Sequence, residues 1–266
     1  MTLEEFLRDI PPTKSEIVEF SGIEYVDRIF QIQLRDTLMY CENCEGERFF
    51  NGNTIKSISG KTLQNLYIHY ICKNCNAYIK MYAVSIKIHS NSEGEIYKYG
   101  EFPPFGPPTP SKLINLIGPD RELFLVGRRA ENQDMGIGAF TYYRRVLENQ
   151  KNRIIDEMIK VLKKYDTEES IINKFEKAKD ETQFSNAIET IKDVLPKILL
   201  IDNHNPLSLI HTALSNGIHA QTDEECLELA TSIRVLLIEL ADRMNGVLKE
   251  KKDLKEAVSK LLKPKK

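Results

Sequence analysis

The chain has 266 residues, with 37 lysines and arginines against 39 aspartates and glutamates, and a net charge of −2 at pH 7. That balance removes the global basic signature of a nucleic-acid binder. Hydrophobic residues at 41% and charged ones at 29% are ordinary for a folded soluble chain, the length leaves room for two domains, and no apolar run approaches the length of a membrane span.

The first residues, Met1 to Phe6, are acidic and have no apolar core, so they do not read as a secretory leader. Free thiols downstream then favour the cytoplasm as the compartment. Strand-like sequence follows. Thr37 to Tyr40 leads into Cys41-Glu42-Asn43-Cys44, and Arg48 to Phe50 leaves it; Leu66 to Ile71 leads into Cys72-Lys73-Asn74-Cys75, and Ala77 to Ile88, rich in aromatic and β-branched residues, leaves it.

The two C-x2-C pairs, with 27 residues between them, are the strongest chemical signal in the chain. Each turn brings two thiolates to one side of a tight loop, and two such turns close a tetrahedron around one zinc ion. Strand, cysteine knuckle, strand, repeated, is the build of a zinc ribbon. Paired disulfides need an oxidising compartment, a thioredoxin-like motif uses one pair at a strand-to-helix turn, and an iron–sulfur cluster sits less naturally on strand knuckles. His69 lies close by, but four cysteines already fill the tetrahedron, so it reads as a strand surface residue. With Cys41, Cys44, Cys72 and Cys75 as ligands the coordination sphere has no open position for water, which makes the expected Zn2+ structural. The fifth cysteine, Cys226, reads as a buried small hydrophobe in a helix.

Between Pro103 and Pro110, five of eight positions are proline. Such a run is neither helix nor central strand and reads as a stiff connector. The expected class is therefore α+β: a zinc-ribbon-containing β domain over residues 1–100, a proline-rich linker over 101–110, and an α-helical bundle over 111–266. In the bundle, helical periodicity predicts segments at 111–117, from 120 towards 133, along 132–165, at 168–179, 184–195 and 206–214, then a long helix from 223 to 249 and a last one over 252–262. Thr222 to Glu225 has the pattern of a capping box. The tail from Lys249 carries eight lysines against three acids; it reads as a solvated end or a contact for nucleic acid.

Two segments of the helical half stand out. Gly136, Gly138 and Ala139 are small residues inside a helical pattern, at a cost of about 1 kcal/mol per glycine in helix propensity. Something packs closely there, a neighbouring helix or a twin subunit. A turn later come Arg144, Arg145 and Glu148, with Arg144 and Glu148 spaced to pair at i, i+4. The second segment runs from His211 through Asn216-Gly217 to His219 and Cys226. Arg145, Glu148 and His219 are the candidate site residues of this half, either as a buried polar network holding helix ends together or as a catalytic set.

These two segments, with the Lys98-Tyr99-Gly100-Glu101-Phe102 approach, resemble a group of bacterial zinc-ribbon and helical-domain proteins of unknown function. That group distantly resembles HEPN-like domains found near restriction and phage-defence genes. The resemblance implies a homodimer through the helical domain, a link to bacterial defence, and, for active HEPN domains, metal-independent ribonuclease chemistry on an arginine followed four to six residues later by a histidine. No arginine stands in that window before His204, His211 or His219. Ribonuclease action would need a composite of Arg145 and His219, the arginine stabilising the transition state and the histidine acting as general acid or base. The leading expectation is a non-enzymatic interaction or regulatory protein with protein or nucleic-acid partners and no membrane. The alternatives are the divergent ribonuclease and sequence-neutral nucleic-acid binding through the ribbon and the lysine tail.

Overall fold

A computed structural model describes residues 1–26, 29–52, 55–59, 62–215 and 221–262. It is mixed α and β, as the sequence predicts, and divides into two compact units, Met1–Pro107 and Pro108–Lys266. Among the described residues no helix is long and apolar enough to cross a membrane.

The first unit opens with helix α1 (Leu3–Asp9), started by a reciprocal capping box in which Thr2 Oγ1 accepts from the Glu5 amide and Glu5 Oε2 accepts from the Thr2 amide. Leu3, Phe6 and Leu7, spaced at i, i+3 and i+4, are buried on one face. Strands β1 (Ser15–Glu19), β4 (Thr37–Cys41), β5 (Gly46–Gly52), β7 (Gln64–Cys72), β8 (Ile79–Ile88) and β9 (Glu93–Phe102) form one antiparallel sheet in the order β1-β9-β8-β7-β5-β4. Strands β2 (Ile23–Val26), β3 (Ile29–Ile32) and β6 (Ile55–Ser59) form a second, three-stranded one. Alternation puts Ile68, Tyr70, Tyr82, Val84, Ile86 and Ile96 into the core beneath the large sheet.

Strand β9 carries an irregularity that decides this unit's interior. Val84 pairs with Lys98, but Ala83 pairs with Gly100, so Tyr99 is the extra residue of a bulge. In a regular strand residues three apart face opposite sides. The bulge turns Glu101 to the same face as Lys98, and the two close a buried ion pair of 2.8 Å. The Lys98 ammonium is fully buried; it also donates to the carbonyls of Leu7, at 2.7 Å, and of Ile10, and it lies over the rings of Phe6, Tyr82 and Phe105. All three of its donors are used, and two of them finish the C-terminal end of α1. Burial pushes the Lys98 pKa down and the Glu101 pKa up, each partly offset by the other's charge.

The second unit contains helices α2 (Ser111–Ile117), α3 (Arg121–Glu131), α4 (Gly136–Asn149), α5 (Lys151–Lys164), α6 (Glu169–Asp180), α7 (Phe184–Ile191), α8 (Pro206–Ser215) and α9 (Asp223–Leu262). The sequence places these segments well, with three differences, one being that α7 stops at Ile191, four residues short of the expected Leu195. The stretch 132–165 is two helices, broken at Gln150, whose side chain donates to Asp120 at 3.0 Å. The long helix and the expected last one are a single helix through Leu262, because no proline or glycine stands between Lys249 and Lys252 to interrupt it. The expected capping box at its start is formed, with Thr222 and Glu225 exchanging bonds of 2.8 and 3.2 Å. At the end of the first unit, β9 carries on through Glu101 and Phe102, into the stretch expected as linker, and the proline run takes over at Pro103.

Among the described residues, the core of this unit holds one carboxylate. Glu131, at the end of α3, accepts from Arg128 at 2.6 Å, from the Tyr143 hydroxyl of α4, and from Thr231 and Arg234 of α9 at 3.0 and 2.8 Å. Burial pushes its pKa up, but the Tyr143 hydrogen bond and the Arg128 and Arg234 charges outweigh it and hold the carboxyl below the usual range. Burial and the same hydrogen bond push the Tyr143 hydroxyl up.

Two outcomes are expected from these cores. Glu131→Gln should destabilise the helical unit by about 3–5 kcal/mol, since it strands the buried Arg128 charge. A depressed folded-state carboxyl stabilises the fold above its unfolded pKa and loses that contribution as pH falls through the folded pKa; denaturant melts of the native chain should weaken below about pH 4, and the glutamine variant should show less of that acid dependence. In the first unit, Lys98→Met should cost about 3–5 kcal/mol by leaving Glu101 buried and unpaired. Adding Glu101→Gln should recover part of the loss; a double variant as unstable as the strict sum would refute the coupling.

Candidate metal centre

Two hairpins deliver the four cysteines. Cys41 ends β4 and Cys72 ends β7, and both are buried among the core side chains, while Cys44 and Cys75 sit in the following turns, half-buried. Each turn repeats one backbone feature: the residue four beyond the first cysteine, Glu45 or Asn76, is left-handed, with φ of 49° and 52°. Asparagine tolerates that region; for glutamate it costs on the order of 1–2 kcal/mol, accepted here because the turn must bring Cys44 back over Cys41.

The hairpins do not meet by simple alignment. The β5–β7 ladder pairs Phe50 with Cys72, and β4 pairs Thr37 with Phe50. Cys72 therefore lies level with Thr37, four residues short of Cys41, and a flat sheet would leave the knuckles about 13 Å apart at 3.3 Å per residue. Yet all four sulfurs lie within 4.8 Å of one another. The β5–β7 pairing spans only Phe50 to Gly52, so the outer half of the β4–β5 hairpin is free to curl over the second turn, and the Lys73 amide donates to the Phe49 carbonyl at 2.9 Å in that elbow.

Across the cluster, Cys41 Sγ is 3.8 Å from Cys75 Sγ and Cys44 Sγ is 4.0 Å from Cys72 Sγ, with no disulfide among the five cysteines. The thiols are polarised unequally. Burial, with its neighbouring thiols adding to it, pushes Cys41 up to about 12. The amides of Ala77 and then Tyr78 pull Cys75 down to about 6. Asn74 Nδ2 donates to Cys44 Sγ at 3.2 Å, and the Arg48 guanidinium donates to the Cys44 carbonyl at 3.3 Å. Such partners orient the sulfurs from outside, as the surroundings of metal ligands do. A divalent cation in the middle would reverse the burial penalty on every thiolate at once. His69, on β7, is half-buried and is not part of the cluster.

In the helical unit the structure describes two members of the expected trio, Arg145 and Glu148. Arg144 pairs with Glu148 at 2.9 Å on the surface of α4, as the i, i+4 spacing predicts, and also reaches the Leu214 carbonyl. Arg145 is exposed and makes no ion pair among the described residues, and His219 lies outside the described residues, as does the Asn216-Gly217 turn. Arg145 and Glu148 thus take no part in a buried network; the buried carboxylate is Glu131, which sequence reasoning passed over because its partners Thr231 and Arg234 come 100 and 103 residues later. The close approach expected at Gly136 is within the chain. A Cβ there would stand 1.9 Å from the Asp223 carbonyl and 2.5 Å from the Leu227 amide of α9. Asp223 also accepts from the Gly136 and Ile137 amides at 3.0 and 2.8 Å, capping α4 from the start of another helix. Gly138 meets Ala130 at an ordinary 3.5 Å. Cys226 is buried in α9, and burial pushes its thiol up.

No protein family model, no curated protein and no solved structure matches this chain.

Proposed function

We propose that the chain is a zinc-stabilised interaction protein, in which a structural Zn2+ held by Cys41, Cys44, Cys72 and Cys75 fixes a zinc-ribbon-like pair of knuckles within a larger β unit. The observation that carries the metal assignment is the sulfur geometry. Tetrahedral zinc–thiolate bonds of about 2.3 Å place sulfurs about 3.8 Å apart. Two of the six edges, at 3.8 and 4.0 Å, are close to that length, and all six lie within 4.8 Å. Four thiolates complete the coordination sphere, so the ion has no place for a substrate or an activated water. Its contribution is to hold the β4–β5 hairpin against the β7–β8 turn. A non-catalytic centre of this kind supports a surface for partners rather than a reaction.

A divergent ribonuclease is the second reading, and one observation favours it: Arg145 is solvent-facing and carries no ion-pair partner among the described residues, in contrast to Arg144 beside it. In that reading Arg145 neutralises phosphate charge as it builds, with His219 as the proton carrier.

Metal analysis of protein purified without added metal should give about one zinc per chain. Cys41→Ser and Cys72→Ser should lose it and unfold the β unit while the helical signal persists; chelation of the native protein should cost on the order of 4 kcal/mol or more in that unit, the linkage expected of a ligand present at about a thousand times its dissociation constant. Native β structure that survives full zinc removal would refute the structural role. The interaction reading further expects no cleavage of RNA by the purified chain. Metal-independent cleavage that falls by about a hundredfold or more in both Arg145→Ala and His219→Ala, as loss of a general acid–base or charge-stabilising group would cause, would replace it with the ribonuclease.

A further inference from the structure

The outer face of the six-stranded sheet is less polar than a solvated antiparallel face should be. Tyr67, Tyr99 and Ile17 on it are 67%, 51% and 55% exposed. Near its β1 edge lies an open groove of about 720 Å³, bordered by Ser15, Leu63, Ser85, Lys87, Glu95, Tyr97 and Tyr99. We propose that this groove binds a neutral saccharide.

The ladder shows how the groups are laid out. Ser15, Tyr97 and Ser85 occupy one rung across β1, β9 and β8, and Ile17, Glu95 and Lys87 occupy the rung two residues on. With strands about 4.8 Å apart and about 3.4 Å per residue, the patch measures about 10 Å by 7 Å, a footprint for a mono- or disaccharide unit. The β9 bulge adds Tyr99 beside Tyr97, the two rings 4.9 Å apart and inclined at 66°, and the Tyr99 hydroxyl donates to Asn65 at 3.2 Å, which fixes its ring. The two rings meet edge to face, so a sugar ring would stack on one of them and lie against the edge of the other.

The polar groups select the ligand. Lys87 and Glu95 face each other across a rung without closing an ion pair among the described residues, and Ser15 donates to Glu95 at 3.3 Å. Ser85 is only 3% exposed at the groove floor. An ammonium, a carboxylate and hydroxyls set around tyrosine rings satisfy vicinal hydroxyls, while the C–H face of a sugar ring stacks on the aromatics. A phosphate chain would meet Glu95 and, on the next rung of the same face, Glu19 and Glu93. A cationic peptide would meet Lys87 in the groove itself.

The test is calorimetry of the full-length protein against cellotetraose, maltotetraose, chitotetraose and mannotetraose, with oligo(dT) and oligolysine as charged controls. At least one neutral sugar should bind with a Kd of about 1 mM or tighter. Tyr99→Ala should weaken it by about tenfold. Glu95→Gln, a surface change that leaves the fold intact, should weaken it as well, with zinc content and circular dichroism unchanged in both variants. Failure of all four sugars would overturn the proposal, as would sugar binding indifferent to both substitutions. Binding of oligo(dT) or oligolysine in place of the sugars would assign the groove to a charged partner and reject the saccharide.

Discussion

Four cysteine sulfurs share a few ångströms of space in the first unit, and as thiolates they would repel one another unless a cation lay among them. The two cysteine turns belong to separate hairpins, and their strands are out of step by four residues, so their meeting requires the sheet to curl at β5. The local structure does little to favour that curl: the ladder to β7 is short, Glu45 is held left-handed, and the sulfurs would repel as they ionise. A bound cation would offset all three local costs at once. The thiols are unequal in this respect: burial pushes Cys41 up and the Ala77 and Tyr78 amides pull Cys75 down, so a cation at the centre would have most to offset at Cys41.

The helical unit solves the opposite problem, with a single anion in the centre. Glu131 has donors from three helices and from both sides in sequence, so the carboxylate works as a key that admits only one arrangement of α3, α4 and α9. Buried ionic groups of this kind contribute more to uniqueness than to net stability, since an apolar cluster of the same volume can be as stable. The same trade is visible at Lys98, where an ammonium rather than an aliphatic chain finishes α1 and selects the β9 bulge.

What was legible in the sequence is what is local. The C-x2-C pairs, the Thr222–Glu225 capping box, the Arg144–Glu148 pair and the proline break each lie within a few residues, and each is where the sequence places it. The α+β class follows from the change of periodicity at the prolines. Glu131, Lys98 and the Asp223 cap were not legible, because a lone acid or base in an amphipathic pattern looks like a solvated side chain until its partners are known, and although Arg128 and Glu101 are only three residues off, the partners that bury these groups lie 86 to 103 residues away. Gly136 was half legible: propensity shows that a glycine there is costly and must be repaid by close packing, but not that the neighbour is the start of α9. The bulge at Tyr99 left no local mark at all, since Tyr-Gly within a strand is compatible with a regular ladder.

The cap on α4 has a temporal side. Met135, at the head of that helix, supplies no side-chain cap, and the amides of Gly136 and Ile137 wait for a residue 87 positions downstream. During synthesis at ~5–20 residues per second, roughly 4 to 17 s pass between the making of Gly136 and the making of Asp223. For that interval the nascent helix has an open, electropositive start and a bare glycine surface where α9 will lie. The helical unit thus cannot be completed piecemeal from its N-terminal end; its order of assembly is set by the arrival of its last helix.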